Sequence, residues 1–282
     1  MYLRLLGDEH PHVATSLNHL AELYKLQGHY EQAEPLFVEA LEMRTRLLGE
    51  EHPDVATSLN NLALLYKLQG HYEQAEPLLT EALEMRTRLL GEEHPNVADS
   101  LNNLALLYNS QGRYRQAEPL LVEALAMSKR LLGEAHPNVA GGLNNLALLY
   151  QMQNRYNDAE PLLVEAVALW RKLLGNEHHL LAIGLNNLAK CYREQNHYSQ
   201  AEPLYQEALK IAEQALPDGH QLRGRFLDDF ATLRAAQGLI KDAESIYQQA
   251  LEILEPKLGA KHPWTVRCRE NLAALKGKEV ES

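Results

Sequence analysis

The sequence predicts an all-α fold, a solenoid of tandem helix-turn-helix repeats, on three observations. A set of residues returns at a constant step of 42: His10, His52, His94, His136, His178, His220 and His262. Apolar residues inside one step form two stripes at helical spacing. A glycine-containing turn separates the stripes. A step held without slippage gives every repeat the same structural slot, which marks a repeat array.

The first repeat shows the elements in order. Leu17, Leu20, Ala21 and Tyr24 stand at i, i+3, i+4 and i+7, one face of a helix, called here helix A. Gln27-Gly28-His29 follows, and Gly28 can end helix A in a left-handed conformation. Helix B carries Tyr30, Ala33, Phe37, Ala40, Leu41, Leu47 and Leu48, and Gly49 closes it. His52-Pro53 opens the next helix A, proline being suited to a first helical position. Tyr30 returns as Tyr72, Tyr114, Tyr156 and Tyr198, and Ala33 as Ala75, Ala117, Ala159, Ala201 and Ala243. Small residues such as Ala21 and Ala33 let the helices approach, while Tyr24 and Phe37 fill the space left. Pro35, Pro77, Pro119, Pro161 and Pro203 fall early in helix B, where a missing donor predicts an irregular start or a mild kink.

This register sets the domain layout. Residues 1–9 align with the end of a helix B and read as the end of a truncated preceding repeat. Residues 10–258 form six repeats. Residues 259–282 form a terminal capping helix and tail, with Arg267, Arg269, Glu270 and Lys276 supplying the polarity of a cap. The sixth repeat departs from the rest: Asp228-Asp229 replaces Asn-Asn, and Pro217-Asp218-Gly219 replaces Leu-Leu-Gly.

Bulk properties exclude several functions. With 45% hydrophobic residues the 282-residue chain can bury a core. A net charge of −11 argues against nucleic acid as partner. Cys191 and Cys268 make no disulfide framework, and a cytoplasmic location is expected. No apolar run spans a bilayer, so no membrane partner is expected. There is no phosphate loop, nucleophile context or H-E-x-x-H, so neither an enzyme nor a cofactor is expected. The periodic histidines open helices A as caps or turn residues, too far apart to share a metal. Glu31 and Glu34 read as a solvated face.

The order Leu17-x2-Leu20-Ala21-x2-Tyr24, Ala33-x3-Phe37, Ala40 resembles the tetratricopeptide repeat. Its 42-residue length is similar to the repeats of kinesin light chains. The matching residues run Leu59-Asn60-Asn61-Leu62-Ala63-Leu64-Leu65-Tyr66, then Gly70-His71-Tyr72-Glu73-Gln74-Ala75-Glu76-Pro77-Leu78, and on to Leu90-Gly91-Glu92-Glu93-His94-Pro95. The resemblance covers essentially the whole chain. It implies a right-handed superhelix whose helices A line a concave groove that takes extended peptides.

Polar residues repeated inside a helix need a reason of their own. Asparagine is a poor helix former. Yet Asn60-Asn61, Asn102-Asn103, Asn144-Asn145 and Asn186-Asn187 lie within helices A, with Asn18-His19 in the first. Helical spacing turns them away from the helix B contact. There they can grip a peptide backbone, as the resemblance implies, or bond to neighbouring helices and hold the stack. Leu64, Leu106 and Leu148 are expected to form an apolar strip on the same face, and Lys67 and Arg193 to read acidic residues of a ligand. The function expected is a scaffold or adaptor that binds extended peptides or partner proteins. The alternative is a sensor or self-assembly segment of a larger signalling protein, possible self-association included.

Overall fold

The computed structural model of the chain describes residues 10–280, with side chains up to Leu275. Every element among them is helical, and the chain forms two compact bodies that divide between Glu134 and Ala135. The expectation that residues 1–9 end a preceding repeat lies outside the described residues.

The N-terminal body holds α1 (Pro11–Leu26), α2 (Tyr30–Leu48), α3 (Pro53–Gln69), α4 (Tyr72–Leu90), α5 (Pro95–Ser110) and α6 (Tyr114–Leu132). The C-terminal body holds α7 (Pro137–Met152), α8 (Tyr156–Leu174), α9 (His179–Glu194), α10 (Tyr198–Ala215), α11 (Gln221–Ala236), α12 (Ile240–Leu258) and α13 (Pro263–Val280). Odd-numbered helices are helices A, and even-numbered ones are helices B. Within each body every helix packs on the next, and each helix A also touches the following helix A.

The turns follow their sequence. Gly28, Gly70, Gly112 and Gly238 all carry positive φ at the A–B turn, and Asn154 (φ 58°) and Asn196 (φ 62°) take the same conformation in its place. Asparagine is the side-chain-bearing residue that tolerates it best. Each helix A is capped by its histidine, whose Nδ1 accepts from the backbone N–H two residues on, as His52 does from Asp54 (3.1 Å). Pro35 does not disturb α2, which is helical without interruption from Tyr30 to Leu48. The irregular start expected from proline is absent because the ring sits on an exposed side. There solvent can meet the carbonyl it leaves unbonded.

The core is built between repeats. Ala21, Ala33 and Phe37 are fully buried and pack with Leu62 and Leu65 of the following helix A. Leu20 and Leu23 hold the slots of Leu62 and Leu65 but are 41% and 51% exposed, because no helix B among the described residues covers that side of α1. One core slot changes its chemistry along the chain. In the N-terminal body Arg44 and Arg86 reach inward, and in α8 the same slot holds buried Trp170. A Cβ added at Gly184 on α9 would lie 2.7 Å from the Trp170 ring, so the glycine makes room for the indole.

Candidate functional site: the shared row of helices A

Within each body two adjacent slots of a helix A meet their counterparts on the next helix A. In the N-terminal body Asn61 Nδ2 donates to Asn18 Oδ1 (3.0 Å), and Asn103 Nδ2 donates to Asn60 Oδ1 (2.9 Å). Asn60 Nδ2 donates sideways to Asn61 Oδ1 (3.3 Å). In the C-terminal body Asn187 Nδ2 donates to Asn144 Oδ1 (2.8 Å). Asn18, Asn60, Asn144, Asn186 and Asn187 are buried, while Asn61, Asn102, Asn103 and Asn145 are half-buried. The amides therefore bond between helices A, each contributing about 1 kcal/mol. An amide has two donors and two acceptor sites, so one such bond leaves capacity for another partner.

One turn along the row, Leu64 and Leu106 are half-buried in the N-terminal body, as is Leu148 in the C-terminal body. Lys67 is half-buried, its ammonium makes no hydrogen bond or ion pair among the described residues, and burial pulls that ammonium below the usual lysine range. Asn109, in the same slot of α5, has a buried Oδ1 without a partner. In that slot Lys25 is paired with Glu22 (2.7 Å). Gln151 donates to the Asn187 carbonyl (3.0 Å). Arg193 is engaged within its own body: it donates to the Asp229 carbonyl (3.1 Å) and the Tyr205 hydroxyl (3.4 Å), and pairs with Glu194. Burial works against its charge, but Tyr205, Asp229 and Glu194 outweigh burial and hold the guanidinium above its ordinary value.

The sixth repeat inverts the ladder. A carboxylate can only accept, so Asn186 Nδ2 donates to Asp229 Oδ2 (2.9 Å), whereas Asn18, Asn60 and Asn144 accept at the equivalent position. Asn186 Oδ1 is left buried and unpartnered. Asp228 accepts from Asn271 Nδ2 (3.1 Å) and Arg267 Nε (2.8 Å), and Arg267 also bridges to Asp229 (3.2 Å). Burial raises the pKa of Asp228 against the opposing pull of Arg267. Burial also penalises the Asp229 charge, but Arg267, Arg225, Lys190 and Arg193 outweigh it and hold that carboxyl below its ordinary value.

Two sets of contacts were not anticipated from sequence. Arg44 Nη1 donates to Ser58 Oγ (2.8 Å) and the Asp54 carbonyl (3.1 Å), and its Nη2 donates to Thr15 Oγ1 (3.3 Å), tying α1, α2 and α3. Arg86 repeats this with Ser100, Asn96 and Thr57. The available signal was paired change: Arg44 with Ser58 and Arg86 with Ser100, then Trp170 with Gly184. The second set corrects the reading of Glu34 as solvated. Glu34 is half-buried and accepts from Tyr66 (3.3 Å) and Gln69 (3.3 Å) of the next repeat. Glu76 takes Arg113 in two bonds (2.6 and 3.0 Å). Glu31, on the other side of the helix, is exposed. Among the described residues no cluster of three or more His, Cys, Asp or Glu could hold a metal.

This geometry matches a known class. The tetratricopeptide repeat family matches at residues 1–46, 12–88, 72–130, 116–169, 138–214 and 225–278, and the chain belongs to that family. Its repeats are of the kinesin light chain-like type. A putative kinesin light chain from Podosopora anserina, with nearly identical TPR-like repeats, is 28% identical with a TM-score of 0.58, over 73% of this chain and 98% of that one. BtubC (BKLC) from P. vanneervenii is 24% identical with a TM-score of 0.64, over 84% of this chain and 94% of that one. A Rap protein complexed with Competence and Sporulation Factor is 17% identical with a TM-score of 0.67, over 94% of this chain and 75% of that one. No curated protein sequence matches the chain. Repeats of this family in general mediate protein–protein interactions and in general form non-enzymatic scaffolds. Among the described residues no helix is long and apolar enough to cross a membrane.

Proposed function

We propose that the chain is a scaffold or adaptor that holds an extended peptide of a partner protein along the row of helices A. One observation carries the reading. In the N-terminal body half-buried Leu64 and Leu106 lie beside an ammonium (Lys67) and an amide carbonyl (Asn109) that both lack partners. A desolvated polar atom without a partner costs about 1–3 kcal/mol, and a peptide N–H or C=O would offset that cost. The spare capacity of Asn61 and Asn103 adds donors and acceptors along the same line. Asn18, Asn60 and Asn102 belong to the same slots in the N-terminal body; in the C-terminal body Asn144, Asn145, Asn186, Asn187 and Leu148 hold them, and Arg193 is the member least free to take part. The Rap protein solved with Competence and Sporulation Factor supports a bound factor on this fold. The cytoplasmic placement belongs to the same reading.

The test is selection from a peptide display library on the native chain and on a Leu64→Glu, Leu106→Glu variant. Glutamate is native to this slot as Glu22, so the variant should keep its helical circular dichroism. Enrichment of a motif by the native chain, lost in the folded variant, supports the row as the site. Equal enrichment by both removes it.

A further inference from the structure

The inner side of α9, α11 and α13 reverses the sign of the molecule. The chain carries −11 overall, yet Lys190, Arg193, Arg225 and Arg267 surround Asp228 and Asp229 in this one place. Lys190 and Arg225 bring charge to slots that hold no cation in earlier repeats. Lys190 stands where Leu64, Leu106 and Leu148 stand, and Arg225 where Thr15, Thr57 and Asp99 stand.

The two carboxylates are already taken. Arg267, Asn271 and Asn186 bond to them directly, and Arg193 is held by Tyr205, Glu194 and the Asp229 carbonyl. Lys190 makes no hydrogen bond or ion pair among the described residues. Among the described residues the Arg225 side chain makes no hydrogen bond or ion pair; its guanidinium stacks 5.3 Å from the centre of the Trp264 ring and acts on Asp229 through space. Both are half-buried. Lys190 lies one helical turn from Asn186, whose buried Oδ1 is unpartnered, and Arg225 lies one turn before Asp229. Two cations without a hydrogen-bonded partner, near enough to repel each other, and an unpartnered buried acceptor thus lie together in the C-terminal body. Burial pulls both cations below their ordinary range, and a bound anion would offset that desolvation.

The geometry points to an oxyanion-binding subsite in the C-terminal body, with Lys190 and Arg225 taking a carboxylate or a phosphate and the Asn186 carbonyl accepting from a donor on the same ligand. Arginine can hold such a group in two bonds, and lysine adds a point charge. The subsite does not depend on the row of the N-terminal body, so failure of the display test leaves it standing.

Trp264 makes the site readable. Trp170 is 3% exposed, while Trp264 is half-buried against Arg225. Tryptophan fluorescence would be followed as inorganic phosphate, a triglutamate peptide or a triglutamine peptide is added. The comparison is a Lys190→Leu, Arg225→Thr variant, which restores residues these slots hold elsewhere. Saturable change with phosphate or triglutamate but not triglutamine, weakened at least tenfold in the variant, is expected. A response to phosphate marks a free-anion pocket, and a response to triglutamate alone marks a site for acidic side chains; each supports the subsite. No response from the native chain, or equal responses from native and variant, overturns it. Should the double variant lose its helical signal, Lys190→Leu alone carries the comparison.

Discussion

The two ends of the molecule hold neighbouring helices A together with different chemistry at the same slots. In the N-terminal body the rungs are neutral: Asn61 to Asn18 and Asn103 to Asn60. At the end of the C-terminal body they are ionic: Arg267 and Asn271 on Asp228, with Arg267 and Asn186 on Asp229. A neutral rung costs less to remove, because the atom it strands is uncharged. An ionic rung costs more, because removing one charge strands another in a desolvated place. The divergent end is therefore the part of the array least able to tolerate loss of one partner.

The largest effect expected follows from that contrast. Arg267→Met should destabilise the C-terminal body by about 3 kcal/mol, the low end of the range for breaking a buried pair, since the Arg267 side chain is itself 40% exposed. Urea unfolding would measure it. In an Asp228→Asn, Asp229→Asn background, which restores the amides of the other repeats, the same change should cost under about 1 kcal/mol. Equal costs in both backgrounds would mean the charges are not coupled. Asn103→Ala, the neutral counterpart, should cost about 1 kcal/mol.

The same comparison explains what the sequence could tell. The helix pairs were legible because the alanine slot of helix B repeats without exception: Ala33 and its counterparts are all fully buried. The rows of asparagine were legible as a feature, but not as a contact. A repeated amide serves a ligand or a neighbouring helix equally well by type, and only the 43-residue reach from Asn61 to Asn18 separates the two. Arg193 read as a free cation because its partners, Tyr205 and the Asp229 carbonyl, come from other helices. The arginine ties of Arg44 and Arg86 were hidden in paired change between slots. Arg225 escaped notice because the sixth repeat looked like decay.

A smaller effect tests the slot that passes from Arg44 and Ser58 to Trp170 and Gly184. Gly184→Ser forces a side chain into the Trp170 ring and should cost about 1–3 kcal/mol, the usual penalty of overpacking. Adding Trp170→Arg should recover most of it, because the pair then matches Arg44 with Ser58, whose Nη1–Oγ bond is 2.8 Å. Thermal unfolding of the single and double variants decides this. A double variant no more stable than Gly184→Ser alone would show that the two slots change independently.

The smallest effect is the response to pH, and it too differs along the chain. His220 and His262 cap α11 and α13 by accepting at Nδ1 from Leu222 and Trp264 (3.2 Å each). Burial lowers the pKa of His220, helped by Lys257, and burial lowers that of His262. Each is thus less protonated folded than unfolded just below the ordinary histidine value of 6.5. The unfolded chain binds more protons in that window, so stability rises with pH there. Their contribution is complete above about pH 6.5 and fades as the pH falls through the lowered folded values. Protonated Nδ1 can no longer accept, so the caps of α11 and α13 loosen together. His220→Asn with His262→Asn keeps a capping acceptor but removes the titration. The urea midpoint of the native chain should fall between pH 7.5 and pH 5 by more than that of the variant. Identical slopes would place the acid sensitivity outside these two histidines.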